Sequence, residues 1–153
     1  MGSFVMTASC TNSLENFYCD IFCDVVTESR FAQPTPNYSE KTYQPMWYKK
    51  PFVLAAPPHT LAVIKREGFK TFSDFWDESY DNMPGLGDRI RHITLELKRL
   101  SALSQEELVD MRIKMEPIVK HNQDLFNKEW EERCSQHPDR QLYRIIENIW
   151  NSF

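Results

Sequence analysis

The spacing of apolar positions changes about halfway along this chain. In the first half, Tyr18 to Thr27 (Tyr-Cys-Asp-Ile-Phe-Cys-Asp-Val-Val-Thr) is rich in β-branched and aromatic residues and predicts a strand centred on Phe22–Val26. Pro51-Phe-Val-Leu-Ala-Ala56 is apolar without alternation, as in a strand buried on both faces of a parallel sheet. Phe69-Lys-Thr-Phe72 reads as a short third strand. Helices are expected between these runs. Ser39 is a suitable N-cap, and Glu40 puts a carboxylate at the positive end of a helix running through Tyr43 and Trp47 towards Lys50, bent by Pro45. His59-Thr60 opens a second helix, carrying Leu61, Ile64 and Lys65, with Gly68 at its C-terminal cap. Residues 1–18 carry no clear period and suggest a frayed start or an edge strand.

Alternating strands and helices at this spacing predict βαβ units and a parallel sheet. Beyond Phe72 the pattern becomes helical. Ile90, Ile93, Leu97 and Leu100 mark one amphipathic face, and Ser104-Gln-Glu-Glu107 is a capping box ahead of Leu108, Met111 and Met115. Pro117 is expected to break or kink that helix before it continues from Ile118 to Trp130. Asp139 caps a last helix with Leu142, Ile145, Ile146, Ile149 and Phe153 on one face. The expected fold is α/β, a single domain over 1–153 resembling half of a Rossmann fold. Its βαβαβ region over 1–82 would carry about three to four parallel strands, with a helical C-terminal region over 83–153 packed on it.

Composition narrows the function classes. With 41% hydrophobic and 13% aromatic residues, 153 residues can form a real core. Basic residues number 18 against 22 acidic ones, and they are interspersed, so no basic stripe points to nucleic acid. No apolar run approaches the ~20 residues of a membrane span, and Met-Gly-Ser-Phe-Val-Met-Thr-Ala is too short and polar for a signal peptide, so the default expectation is cytoplasmic. Cys10, Cys19, Cys23 and Cys134 lack CxxC spacing and read as free thiols. Gly85 and Gly87 are spaced like the start of a dinucleotide fingerprint, but Ile90 stands where its third glycine belongs. There is no Walker sequence and no Gly-x-Ser-x-Gly elbow, and His59, His92, His121 and His137 show no ligand spacing. Asp74, Asp77, Glu78 and Asp81 could serve a hard cation, even a metal-dependent hydrolase, but they lack a calcium loop's glycine turn. A solvated loop with Phe75, Trp76 and Tyr80 buried beneath it is the simpler reading.

The segment from Val25 to Pro58 carries the candidate chemistry. Glu28 and Arg30 fall just past the end of a strand, while Ser39, Glu40 and Lys41 fall at the start of the next helix. Ligands bind beyond the carboxyl ends of open parallel sheets, and helix N-termini favour phosphate. Two cations and a carboxylate at such an edge suit a nucleoside diphosphate: the cations neutralise phosphate and the carboxylate accepts ribose hydroxyls. Ordinary capping, with Ser39 as N-cap and Lys41 in solvent, explains the same residues.

Val-Val-Thr-Glu-Ser (25–29), Tyr-Ser-Glu-Lys-Thr-Tyr-Gln-Pro-Met (38–46) and Lys-Pro-Phe-Val-Leu-Ala (50–55) resemble the donor-binding core of GT-B glycosyltransferases. The pattern is most similar to the fucosyltransferase-like one, where Phe-Glu-Asn-Ser precedes Tyr-Ile-Thr-Glu-Lys and then Val-Pro-Val-Val. Glu28 and Ser29 match the strand-end Glu and Ser without the intervening Asn, and Ser39, Glu40 and Lys41 match Thr-Glu-Lys. Residues 68–81 are also similar to glycosyltransferase-like proteins of phages and large viruses. The resemblance implies a nucleotide-sugar-binding half in which Glu28, Ser29, Arg30, Ser39, Glu40, Lys41 and Tyr43 line the donor site. The donor would be a nucleoside-diphosphate sugar, with no metal or other cofactor. Because GT-B enzymes pair two Rossmann-like domains, it also implies an acceptor-domain partner or a homo-oligomer. The competing expectation is a non-enzymatic interaction or assembly protein using an exposed aromatic loop (Phe75, Trp76, Tyr80) and a C-terminal helix ending in Trp150 and Phe153.

Overall fold

The computed structural model describes residues 14–136, so the helix expected over 139–153 lies outside the described residues. Within them the chain is mixed α/β, in the order α1 (Leu14–Asp20), β1 (Asp24–Thr27), α2 (Glu40–Trp47), β2 (Phe52–Ala55), α3 (Thr60–Arg66), a 3-10 turn (Ser79–Asn82), α4 (Leu86–Ser101) and α5 (Gln105–Gln136). β1 and β2 pair in parallel, with Asp24 opposite Phe52 and Thr27 opposite Ala55. Every residue of β2 is buried, as its unbroken apolar run requires. α2 is the crossover between the strands, so its N-terminus lies at the carboxyl edge of the sheet and its C-terminus at the amino edge.

The N-terminal reading needs correction. Tyr18–Asp20 is helical, and the strand is confined to Asp24–Thr27. Tyr18 is buried: its ring stacks on Tyr48 at 4.4 Å, and its hydroxyl donates to Asp24 at 2.7 Å.

The third strand is absent among the described residues, and the sheet there has two strands instead of three or four. Phe69 and Phe72 are buried as their hydrophobicity demands, but side chains satisfy the backbone that a neighbouring strand would have paired. The Asn122 amide accepts from Lys70 N and donates to Lys70 O, both at 2.8 Å. Glu78 accepts from Phe72 N at 2.8 Å and from the Thr71 hydroxyl at 2.6 Å. Phe72 then stands edge-on to Phe52 at 5.2 Å, and its ring lies 5.1 Å from that of Trp76.

Both early helices end in a left-handed residue followed by paired Schellman hydrogen bonds. At α3 the residue is Gly68 (φ 98°), with Gly68 N donating to Lys65 O and Phe69 N to Ile64 O. At α2 it is Lys49 (φ 52°), with Lys49 N donating to Met46 O and Lys50 N to Pro45 O. That cap ends α2 at Trp47, short of Lys50. α5 runs without interruption through Pro117, which is exposed, so water can hydrate the carbonyl that proline leaves unpaired. The expected capping box at its start is present: Glu107 accepts from Ser104 N at 2.8 Å, and Ser104 Oγ from Glu107 N at 3.2 Å. α2 packs against α5 through Tyr43, Trp47 and Phe126.

Candidate functional site

Three segments meet at the carboxyl edge of the sheet: residues 28–39 after β1, residues 56–59 after β2, and residues 78–86 ahead of α4. Asn37 N reaches the Thr60 hydroxyl at 3.4 Å, and His59 N donates to Asp81 O at 2.6 Å. The Asp81 carboxylate accepts from Leu61 N and Ala62 N at 3.0 and 3.2 Å, capping α3 from a distance, since His59 supplies no side-chain cap. His59 itself is exposed and left-handed (φ 64°), an uncommon backbone state for a residue with a Cβ.

Glu28 is central to this edge. It is buried and its carboxylate accepts three hydrogen bonds: Ser39 N at 2.8 Å, Ser39 Oγ at 2.8 Å and Thr42 Oγ1 at 2.7 Å. A carboxylate there complements the positive end of α2. Glu28 and Ser39, both expected at the donor site, are thus engaged with each other. At the start of α2, the position expected for phosphate, three amides are bonded within the protein. Ser39 N is taken by Glu28, Lys41 N by Ser39 Oγ at 3.4 Å, and Thr42 N by Ser39 O at 3.1 Å.

Of the other expected residues, the structure brings Ser29 and Lys41 together: Lys41 Nζ donates to the exposed Ser29 hydroxyl at 2.7 Å. Arg30 and Glu40 are exposed on the same segments. Among the described residues, no carboxylate forms an ion pair with Lys41 or Arg30. Tyr43 is not part of this group. Its hydroxyl donates to that of Tyr38 at 3.2 Å, and its ring lies 5.3 Å from Phe126, inside the α2–α5 contact. Tyr38 in turn donates to Glu67. Two residues along a helix from Lys41, Tyr43 projects from a different face.

In the acidic-aromatic stretch Asp74 and Asp77 are exposed as expected, but the other two acids are structural. Glu78 and Asp81 are buried acceptors for backbone N–H groups, and Glu78 also pairs with Lys65 at 3.2 Å. Trp76 and Tyr80 are buried, which removes the aromatic loop as an exposed contact surface. Among the described residues, no cluster of His, Cys, Asp and Glu is arranged to hold a metal ion, and no helix is long and apolar enough to cross a membrane. His92 Nε2 lies 2.8 Å from Asp77 and 3.5 Å from Ser79. Both partners share one ring nitrogen, whereas a serine–histidine–aspartate relay uses opposite nitrogens.

Sequence reasoning missed Arg89, which is 1% exposed. Its Nη1 donates to Met83 O at 2.9 Å and Pro84 O at 3.0 Å, and its Nη2 donates to Phe31 O at 2.7 Å. The guanidinium also lies 4.9 Å over the Phe31 ring, while Nε has no partner. α4 therefore buries Arg89, Ile93 and Leu100, while Ile90, expected on that face, is 48% exposed. The signal was in the sequence, because Arg89 is in phase with Ile93, Leu97 and Leu100.

Compared with known proteins, the chain matches no family model, no curated protein and no solved structure.

Proposed function

We propose that this chain is the donor-binding domain of a glycosyltransferase, built like half of a Rossmann fold and taking a nucleoside-diphosphate sugar at the carboxyl edge of its parallel strands. The observation that carries the reading is the Lys41–Ser29 pair: an ammonium bridging the segment after β1 to the first turn of α2, with no carboxylate ion pair among the described residues. Lys41 and the exposed Arg30 neutralise the diphosphate, which leaves with the nucleoside when the sugar transfers. Fixed cations aimed at that developing charge do the work a metal would otherwise do. Glu40, exposed beside Lys41, accepts ribose hydroxyls. Glu28 holds Ser39 and the start of α2 in place without touching the donor. The acceptor and its base belong to an acceptor domain or to a second copy of the chain.

Calorimetry with GDP, UDP and their sugars tests this reading. Lys41→Ala is expected to weaken nucleoside-diphosphate binding by more than ~1 kcal/mol, the scale of a charge-assisted hydrogen bond. No binding of any of these at millimolar concentration refutes it. A second reading, an assembly protein, draws support from Val109 and Ile113, which leave 47% and 65% of their surface exposed one turn apart on α5. Light scattering that shows a concentration-dependent oligomer, lost in Ile113→Glu, would favour it.

A further inference from the structure

The two edges of the sheet differ. The outer edge of β2 is covered: Leu54 N donates to the Tyr80 hydroxyl at 3.4 Å, and the buried Phe72 stands against Phe52. The outer edge of β1 is open. Asp24 N and Glu28 N donate to Pro51 O and Ala55 O, so the even-numbered residues of this segment turn their backbone groups towards β2. Alternation along a strand then turns the N–H and C=O of Val25 and Thr27 away from β2. Among the described residues nothing bonds to those four groups, and both residues are exposed, Val25 at 38%.

An open edge is a template for another strand, and proteins guard it with lysine, proline, a bulge or a covering segment. β1 carries no lysine and no proline, pairs with β2 without a bulge, and has Val25, Val26 and Thr27 as β-branched residues. Its one charge, Asp24, is engaged by the Tyr18 hydroxyl. Other copies of the chain therefore meet an edge that does nothing to repel them. The edge also complements itself. A twofold axis brings two β1 strands together antiparallel. With Val25 on the axis, it exchanges both backbone hydrogen bonds with Val25 of the second copy, Asp24 faces Val26, and Thr27 faces Cys23. No like charges meet, and the two exposed valine side chains come together. With Val26 on the axis instead, Asp24 would face Glu28, and two opposed carboxylates disfavour that register.

We infer that β1 is the pairing strand of a symmetric dimer, in which two copies of the chain join β1 to β1, antiparallel, into one sheet of order β2-β1-β1-β2. The covered outer edges of β2 end that sheet, so assembly stops at two copies. The contact is short and belongs with small, reversible interfaces, below about 1,200 Å² of buried surface. It does not depend on the donor-binding reading, and it uses a different surface from Val109 and Ile113 on α5.

The test is sedimentation of the full chain from about 1 µM to about 1 mM, where a monomer should give way to a dimer. Deuterium exchange on the same samples should find the Val25 and Thr27 amides fast in dilute protein and slow in concentrated protein. Val25→Lys and Val25→Glu each set like charges across the axis and should weaken the dimer about tenfold or more, without lowering the melting temperature of dilute protein, since the side chain is exposed. An equimolar mixture of the two variants sets unlike charges across the axis and should dimerise again, a gain that a damaged fold cannot mimic. A chain still monomeric at about 1 mM overturns the inference. A dimer that both Val25 variants leave intact overturns it too, and its loss in Ile113→Glu would assign the contact to α5. A mixture that fails to recover association overturns the pairing at Val25. Val25 and Thr27 amides already slow in dilute, monomeric protein overturn it as well, because the edge is then covered from within the chain.

Discussion

Replacing Glu28 separates a structural carboxylate from a ligand-binding one. Its two oxygens accept from Ser39 N, Ser39 Oγ and Thr42 Oγ1, all between 2.7 and 2.8 Å. Alanine would leave three donors unsatisfied and remove the charge at the start of α2; at about 1–2 kcal/mol per donor, the expected loss is about 3–6 kcal/mol. Glutamine keeps one oxygen where Ser39 N and Thr42 Oγ1 converge, and its NH₂ can face Ser39 Oγ if that hydroxyl rotates to accept. The loss then reduces to the charge and one reorganised bond, about 1–2 kcal/mol. Urea unfolding followed by tryptophan fluorescence measures both. With a slope near 2 kcal/mol per molar, alanine should lower the midpoint by about 2 M and glutamine by less than about 1 M. Thr42→Val in the Glu28→Ala background should cost less than it does alone, because its partner is already gone. If Glu28→Ala costs under about 1 kcal/mol, the three bonds do not hold the edge together as argued. If glutamine is as stable as the parent yet abolishes nucleotide binding, Glu28 contacts ligand after all.

Other consequences can be measured alongside. Lys49→Gly should raise stability by about 0.5–1 kcal/mol, because glycine relieves a left-handed residue (φ 52°) at the α2 cap; a urea titration reads the gain. Asn122→Ala should cost about 2–4 kcal/mol, since Lys70 N and Lys70 O both lose their partner, whereas Asp124→Ala on the exposed face should fall within about 0.5 kcal/mol. Stability should fall in alkali. Burial, then the neighbouring Asp24, pushes the Cys23 thiol up to about 11, and burial first raises Tyr18, Tyr38 and Tyr80 as well. A raised folded-state pKa favours the fold below the unfolded value and withdraws that support as pH climbs through the folded one. Melting temperature should therefore be level to about pH 8.5 and drop beyond it, Cys23 ionising first. A flat profile to pH 11 would contradict the burial assigned to these groups.

Much of the edge was readable in sequence where one local rule acted alone. Ser39 as N-cap, Gly68 at a left-handed C-cap, the Ser104–Glu107 box and the buried run of β2 each depend on a few adjacent residues. What escaped was decided by partners far along the chain. The Phe69–Phe72 strand failed because Asn122, 52 residues from Lys70, supplies the hydrogen bonds a neighbouring strand would have given. Asp81 and Glu78 looked solvated because acids usually are, and nothing nearby reveals that they cap α3 and brace Phe72. Arg89 was hidden by the expectation that an apolar face contains apolar residues. A face spaced 89, 93, 97 and 100 with a cation in its first place was the available clue.

The Asn122 clamp on Lys70 also determines how the molecule opens. α5 cannot lift away from the first half without stripping both backbone groups of Lys70 at once, and the sheet and the long helix therefore separate in one event instead of peeling in stages. The Lys70 amide should exchange its proton for deuterium as slowly as the amides of β2, although it belongs to no strand.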